Sequence, residues 1–137
     1  MGATAKGPIL IVEDDASIRE LLRDALEQEG LDVVTASDGE QAIVCAGRQR
    51  PAAIVLDMGL PLLDGASVAD RIRDQYGDLV PFIVVTASRR IEEAASRIRA
   101  ARYLTKPFDI TDLVAAVRDA VEPPPDTARE HAPSPVV

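Results

Sequence analysis

The chain has 137 residues, of which 47% are hydrophobic and 28% are charged, and its formal net charge is -8. This length supports one domain with a real core and is short for two. The acidity argues against direct nucleic-acid binding, since Lys and Arg make most phosphate contacts, and the sequence has no membrane-length apolar segment. The polar first seven residues do not resemble a signal peptide, so we expect a cytoplasmic protein.

Five short apolar runs are typical of strands, and each is followed by a helical pattern. The first helical pattern begins at Ala16 and stops at Gly30. Asp38 and Gln41 form a capping-box signature ahead of the second helix, and Asp109 is placed to cap the last one. The predicted strands are 9–12, 32–36, 52–57, 82–86 and 102–105, and the fourth helix is predicted over about 91–99.

The strands are apolar on both faces and alternate with helices, which predicts an α/β fold with a parallel sheet covered on both sides. The predicted domain spans residues 8–121, after an N-terminal tail of residues 1–7. Residues 122–137 hold five of the ten prolines and lack an apolar period. We therefore interpret them as a Pro-rich disordered tail.

Polar residues stand at the carboxyl ends of four predicted strands, the edge where open parallel sheets bind ligands. Several carboxylates against one lysine leave negative charge that a divalent cation would neutralise, and an all-oxygen set suits Mg2+ or Mn2+. A lysine and a hydroxyl beside such an ion predict a cradle for a phosphoryl group. These residues are Glu13, Asp14, Asp15, Asp57, Thr86 and Lys106.

Each of these residues also has an ordinary structural explanation. Asp15 stands where an N-cap is expected, and Thr86 fits a plain strand residue. Lys106 alone would be a surface lysine, and Tyr103 alone a core or edge aromatic. A functional site is favoured only because the residues share one edge of the sheet.

Several motifs, in order, resemble the receiver domain of bacterial two-component response regulators over about residues 8–121. ILIVEDD resembles the acidic opening of that family, and AIVLDMGLPLLDG resembles its acceptor-aspartate strand and loop. VVTA resembles the Thr-Ala motif, and YLTKPF resembles the Lys-Pro signature. The resemblance implies a flavodoxin-like, doubly wound sheet of five parallel strands in the order 2-1-3-4-5, with five helices.

The resemblance also implies a chemistry. Asp57 would accept a phosphoryl group from a sensor histidine kinase or a phosphotransfer protein. Glu13, Asp14 and Asp57 would hold Mg2+, together with the backbone carbonyl of Gly59. The protein would thus be a phosphoacceptor that supports its own phosphorylation and dephosphorylation, and not an enzyme acting on a separate substrate.

The remaining matched residues imply a switch. Lys106 would bind a phosphoryl oxygen, and Thr86 would turn its hydroxyl toward the phosphate. Tyr103 matches the aromatic residue whose rotation reports phosphorylation to the surface. Pro107 matches a family proline that often follows a cis bond, which would aim Lys106 at the site.

The chain departs from the family pattern before the fifth strand. The segment between Thr86 and Lys106 is a residue or two short, and Arg99 stands where a glycine is common. Ala101 and Arg102 replace an acidic pair that helps some DNA-binding regulators dimerise, so we expect a monomer or a weak dimer.

The same region forms a basic island on an acidic protein. A solvated helix with an ordinary ion pair explains it, and a patch for docking a partner is the alternative. Its members are Arg89, Arg90, Arg97, Arg99 and Arg102.

Alternatives of other kinds stay open. A phosphatase of the haloacid dehalogenase type also uses an aspartate nucleophile and Mg2+, but Gly59 stands where that family has a second Asp, and the one histidine is His131. The chain could also be the N-terminal receiver of a larger DNA-binding regulator or hybrid kinase, with its tail as a linker. We favour a stand-alone receiver, similar to a chemotaxis regulator, that controls an unknown protein target.

Overall fold

A computed structural model describes residues 7–58, 65–87, 96 and 98–121. The strands are β1 (Ile9–Val12), β2 (Val33–Ala36), β3 (Ala53–Asp57), β4 (Phe82–Thr86) and β5 (Arg102–Thr105). The helices are α1 (Ala16–Gln28), α2 (Gly39–Arg48), α3 (Gly65–Tyr76) and α4 (Ile110–Val121), with a 3-10 turn at Gly77–Leu79. All five predicted strands are confirmed, although β2 and β3 begin one residue later than predicted.

Some predictions lie outside the described residues. The predicted helix over 91–99 is described only at Ser96 and from Ile98 onward, and the predicted tails, except for Gly7, are not described. Among the described helices, none is both long and apolar enough to cross a lipid bilayer.

The five strands form one parallel sheet in the order β2-β1-β3-β4-β5. This is the order that the family resemblance implied, and it is confirmed. The order reverses direction at β1, so the carboxyl ends of β1 and β3 lie beside each other at the point where open α/β sheets bind ligands.

Two apolar cores lie on opposite faces of the sheet, because alternate strand residues point to opposite sides. On β1, Ile9 and Ile11 pack with residues of α1 and α4, whereas Leu10 and Val12 pack with residues of α2 and α3. Burial on both faces explains why the strands are continuous aliphatic runs rather than alternating ones.

The first two helices begin with side-chain caps. The Asp15 carboxylate accepts a hydrogen bond from the Ile18 N–H at 3.0 Å, which confirms Asp15 as the N-cap of α1. Asp38 accepts from the Gln41 N–H at 2.9 Å, as predicted. The Gln41 side chain bonds the N–H of Ser37 at 3.1 Å, one residue before the position that a capping box would use.

The turn before β5 is held by Arg73 of α3. Its guanidinium donates to the carbonyl oxygens of Ile98 and Arg99. Arg99 has a φ of 58°, the left-handed conformation in which glycine is favoured. The backbone at Arg99 therefore adopts a conformation that glycine, the residue common at this position in the family, would adopt more easily. Strand β5 follows this turn, which Arg73 holds in place.

The basic island is described only in part. Arg99 pairs with Asp78 at 3.4 Å, and Arg102 pairs with Asp119 at 3.0 Å. Both pairs are exposed, so each contributes less than about 1 kcal/mol. The other three arginines lie outside the described residues, and the docking patch stays a prediction.

Candidate functional site

The acidic residues of β1 and β3 meet at one point of the sheet edge. Val12 lies opposite Leu56 in the register of the two strands, so the next residues, Glu13 and Asp57, are neighbours. Glu13 is 2% exposed and Asp57 is 7% exposed. Asp14 is exposed, and one carboxylate oxygen from each of these three residues lies within 4.8 Å of those from the other two.

Lys106 bridges the two buried carboxylates. Its Nζ donates to Glu13 Oε1 at 3.0 Å and to Asp57 Oδ2 at 3.1 Å. The lysine comes from the loop after β5, whose start is tied to β4 by a 2.9 Å bond from the Lys106 N–H to the carbonyl of Thr86. The peptide bond between Lys106 and Pro107 is cis, as expected.

The site favours added positive charge. Burial raises the pKa of the Glu13 carboxyl, and the hydrogen bonds from Lys106 and from the Asp15 N–H only partly offset that rise. Burial alone would lower the pKa of Lys106, but its hydrogen bonds to Glu13 and Asp57 more than compensate, so the lysine pKa is raised. Both shifts favour the protonated form, as expected where carboxylates outnumber cations.

The two oxygens of Glu13 have separate partners. Oε1 accepts from Lys106, and Oε2 accepts from the Asp15 N–H at 3.2 Å. Asp15 itself caps α1. The three consecutive acids therefore differ in role: Glu13 is buried and bonded, Asp14 is exposed beside it, and Asp15 starts the helix.

Arg19 belongs to the same neighbourhood, although no sequence motif pointed to it. Its Nη1 donates to the carbonyl oxygen of Glu13 at 2.8 Å and lies 3.4 Å from that of Asp14. The one available signal was its place in the first turns of α1, since helical side chains lean toward the helix N-terminus.

The other predicted site residues lie in different surroundings. Thr86 is 5% exposed at the end of β4, and its carbonyl oxygen accepts a hydrogen bond from the Lys106 N–H. Tyr103 is 46% exposed on β5 and lies outside the carboxylate cluster. Gly59 lies outside the described residues, so the role of its carbonyl stays a prediction.

The donor set fits a hard divalent cation. Three carboxylates and one ammonium leave a formal charge of about -2 at this edge, and charged groups held out of water need a counter-ion. Carboxylate oxygens without Cys or His ligands suit Mg2+, which accepts one or two carboxylates and keeps several waters. The exposed side of Asp14 leaves access for water and for a phosphoryl group.

Comparison with known proteins identifies this arrangement. The family model described as the response regulator receiver domain matches residues 9–118. The chain belongs to this family. The expected family membership is thus confirmed, and the chain is a receiver domain of two-component response regulators.

The relatives of this receiver domain include longer regulators. Response regulator MprA of Mycobacterium leprae is 39% identical over 125 residues, which cover 89% of this chain and 54% of MprA. Transcriptional regulatory protein PrrA of Mycobacterium tuberculosis is 38% identical over 112 residues, covering 80% of the chain and 48% of PrrA. The chain thus spans about half the length of these relatives.

Solved structures match the receiver domain along nearly their whole length. The receiver domain of the sensor histidine kinase PA1611 from Pseudomonas aeruginosa is 34% identical, with a TM-score of 0.77 over 85% of this chain and 98% of its own. That structure has a magnesium ion coordinated in the active site cleft. TrrA from Thermotoga maritima, solved in complex with Mg2+-BeF, is 32% identical, with a TM-score of 0.75 over 83% and 98% of the two chains.

Proposed function

We propose that Asp57 of this receiver domain is the phosphoacceptor and that its donor is a phosphohistidine on a sensor histidine kinase or phosphotransfer protein. The observation that carries the proposal is the position of the Asp57 carboxylate. It lies at the end of β3, 3.1 Å from the Lys106 ammonium and within 4.8 Å of the Glu13 and Asp14 carboxylates. A carboxylate nucleophile that lies beside an ammonium, in an acidic cluster suited to a divalent cation, fits phosphoryl transfer.

The transfer exchanges one bond to phosphorus for another. An oxygen of the Asp57 carboxylate attacks the phosphorus atom, and an oxygen–phosphorus bond forms. The phosphorus–nitrogen bond of the phosphohistidine breaks, its electron pair stays on the imidazole nitrogen, and that nitrogen takes a proton from solvent. Lys106 donates hydrogen bonds to Asp57 before the transfer and to a phosphoryl oxygen afterwards, where new negative charge needs a donor.

Mg2+ would be held by Glu13, Asp14 and Asp57, together with the predicted carbonyl of Gly59, and Mn2+ would suit the same oxygen ligands. When bound, the ion supplies charge neutralisation for the phosphoryl oxygens and the acceptor carboxylate. The magnesium ion in the PA1611 receiver domain and the Mg2+-BeF complex of TrrA support this assignment. In this chain, Glu13 and Asp57 are buried, and Lys106 holds their carboxylates side by side.

Thr86 and Tyr103 would pass the phosphorylation event to the surface. Thr86 is buried on β4, the neighbour of β3, and Tyr103 lies one strand further, on β5, and is nearly half exposed. A phosphoryl group that attracts the Thr86 hydroxyl would favour one arrangement of this pair. The phosphoryl group then acts as a ligand that shifts the population toward the active state.

The protein would serve as a signalling switch and not turn over a separate substrate. Its output would be contact with a partner protein, controlled by phosphorylation at Asp57. A second candidate is the receiver portion of a longer transcriptional regulator, because the relatives MprA and PrrA are about twice as long as the matched region. A DNA-binding domain encoded downstream in the same reading frame would support this second candidate.

Mass spectrometry of the intact protein tests the proposal. Incubation with Mg2+ and acetyl phosphate should add one phosphoryl group, and Asp57→Asn should abolish the adduct. Asp15→Asn is the matched control, because Asp15 caps α1, and it should still be labelled. Asp14→Ala should abolish the Mg2+-dependent part of the labelling. An adduct that persists in Asp57→Asn would exclude Asp57 as the acceptor.

A further inference from the structure

Arg19 holds the backbone that carries two of the carboxylates. Its Nη1 donates to the Glu13 carbonyl at 2.8 Å and approaches the Asp14 carbonyl at 3.4 Å. These carbonyls precede the N-cap Asp15, whose own carbonyl accepts the first helical bond, from the Arg19 N–H at 2.9 Å. The helical hydrogen bonds therefore begin after the carbonyls of Glu13 and Asp14. Arg19 gives these carbonyls a hydrogen-bond donor that water would otherwise have to supply.

Arginine is suited to this contact for two reasons. A side chain on the first turns of a helix points back toward the N-terminus, which brings the guanidinium of Arg19 to the loop between β1 and α1. Both contacts come from one nitrogen, Nη1, which carries two N–H groups fixed in the plane of the guanidinium, whereas a lysine ammonium is a compact point charge on a flexible stem. One arginine can thus serve two successive carbonyls that a lysine would hold less well.

The orientation of the Asp14 carboxylate depends on Arg19 more than the orientation of the Glu13 carboxylate does. The Glu13 side chain is buried and fixed by Lys106 and by the Asp15 N–H. The Asp14 carboxylate is exposed, and no hydrogen bond to it is found among the described residues. Its direction is consequently set by the peptide groups on either side of it, and Arg19 bonds the carbonyls of both Glu13 and Asp14.

The positive charge of Arg19 has the opposite effect on a cation, which it repels. The Asp14 side of the site is open to solvent, and water and salt screen such repulsion strongly. Orientation of a ligand-bearing backbone is not screened in this way. We therefore expect positioning to outweigh repulsion in the balance of Mg2+ affinity.

We propose that Arg19 is a positioning residue for Mg2+ binding, acting through the backbone of Glu13 and Asp14; this inference rests on the metal site of the proposed function. Loss of a group that orients a metal ligand typically weakens metal affinity by roughly 10- to 100-fold. Because Arg19 orients the backbone rather than a ligand atom, the expected effect lies at or below the lower limit of that range.

Isothermal titration of the full chain with Mg2+ tests the inference. Arg19→Lys keeps the charge and loses the planar guanidinium, so its dissociation constant for Mg2+ should rise about fivefold. Arg19→Gln loses both the guanidinium and its repulsion of the cation, so its dissociation constant should rise less. Arg23→Lys is the matched control, because Arg23 lies one turn further along α1 and pairs only with Glu20 among the described residues, and its affinity should not change.

The outcomes separate positioning from charge and from folding. Unchanged affinity in Arg19→Lys, or tighter binding in Arg19→Gln than in the wild type, would overturn the inference while leaving the metal site intact. Wild-type protein that does not bind Mg2+ would instead refute the proposed function, and this inference with it. Thermal melts in EDTA identify a folding defect, and titrations well below the melting midpoint then compare folded proteins only.

Discussion

Replacement of Lys106 by Met tests how the buried carboxylates are kept stable without metal. Met keeps an unbranched chain of similar length and removes the ammonium that lies 3.0 Å from Glu13 and 3.1 Å from Asp57. Removing one partner of a buried ion pair costs about 3–5 kcal/mol. The Lys106 side chain is 23% exposed, so water compensates for part of this cost. We expect the free energy of unfolding to fall by about 2 kcal/mol.

The assay is chemical or thermal unfolding in EDTA at neutral pH. A loss of about 2 kcal/mol lowers the melting midpoint by about 8 °C in a domain of this size. Arg102→Met is the matched control, because it removes an exposed ion pair with Asp119 that contributes less than about 1 kcal/mol.

The pH dependence follows from the raised pKa of Lys106. A base with a raised pKa in the folded state contributes its full stability below its unfolded pKa, about 10.4 for lysine, and loses it as pH rises through the folded pKa. On the alkaline side, the difference in unfolding free energy between wild type and Lys106→Met should therefore stay constant up to the unfolded lysine pKa and shrink at higher pH.

Saturating Mg2+ should stabilise Lys106→Met more than it stabilises the wild type. The ion and the Lys106 ammonium neutralise the same carboxylates. The variant lacks the ammonium, so binding of the ion raises its free energy of unfolding more than that of the wild type. A variant as stable as the wild type in EDTA would contradict this prediction, because it would mean that Lys106 does not offset repulsion between the carboxylates.

Two further predictions concern the pKa of Glu13 and the turn before β5. Burial raises the pKa of Glu13, so its ionised form costs stability at neutral pH, and this cost disappears as pH falls through the raised folded pKa. Glu13→Gln should thus be more stable than the wild type in EDTA at neutral pH, with a difference that vanishes in acid. Arg99 has a φ of 58°, which costs a residue with a side chain about 1–2 kcal/mol. Arg99→Gly should raise the unfolding free energy by about 1 kcal/mol and the melting midpoint by about 4 °C, since the exposed pair with Asp78 contributes little.

Each of these predictions has its own control. Urea titrations across the pH range measure the Glu13 effect, and parallel pH profiles of wild type and Glu13→Gln would contradict it. Arg99→Ala keeps a side chain in the left-handed conformation and loses the same ion pair. If Arg99→Gly is no more stable than Arg99→Ala, backbone strain at this turn is not the cause.

The strands and the site edge could be predicted because their signals are local. Aliphatic runs such as Ile9–Val12 mark strands buried on both faces, and Asp15 marks a helix start by its place before an apolar helical period. Parallel strands place their carboxyl ends on one edge, so acids that follow β1 and β3 had to lie there. The strand order came from the family resemblance, and the sheet confirms it.

The element types, the edge that carries the site and the residue types available there can thus be predicted from the chain, because each depends on neighbours along it. The three-dimensional structure was needed to show that Lys106 bridges Glu13 and Asp57, which stand 93 and 49 residues away from it. It also decided that Arg19 turns back to hold the acidic loop and that Arg99 takes a left-handed conformation. The Lys106 bridge depends on distances between elements that meet only after the sheet has formed, and no local pattern records such distances. Arg19 and Arg99 did leave local signals, a place in the first turns of α1 and an unusual residue before β5, but neither signal specifies the contact or the conformation.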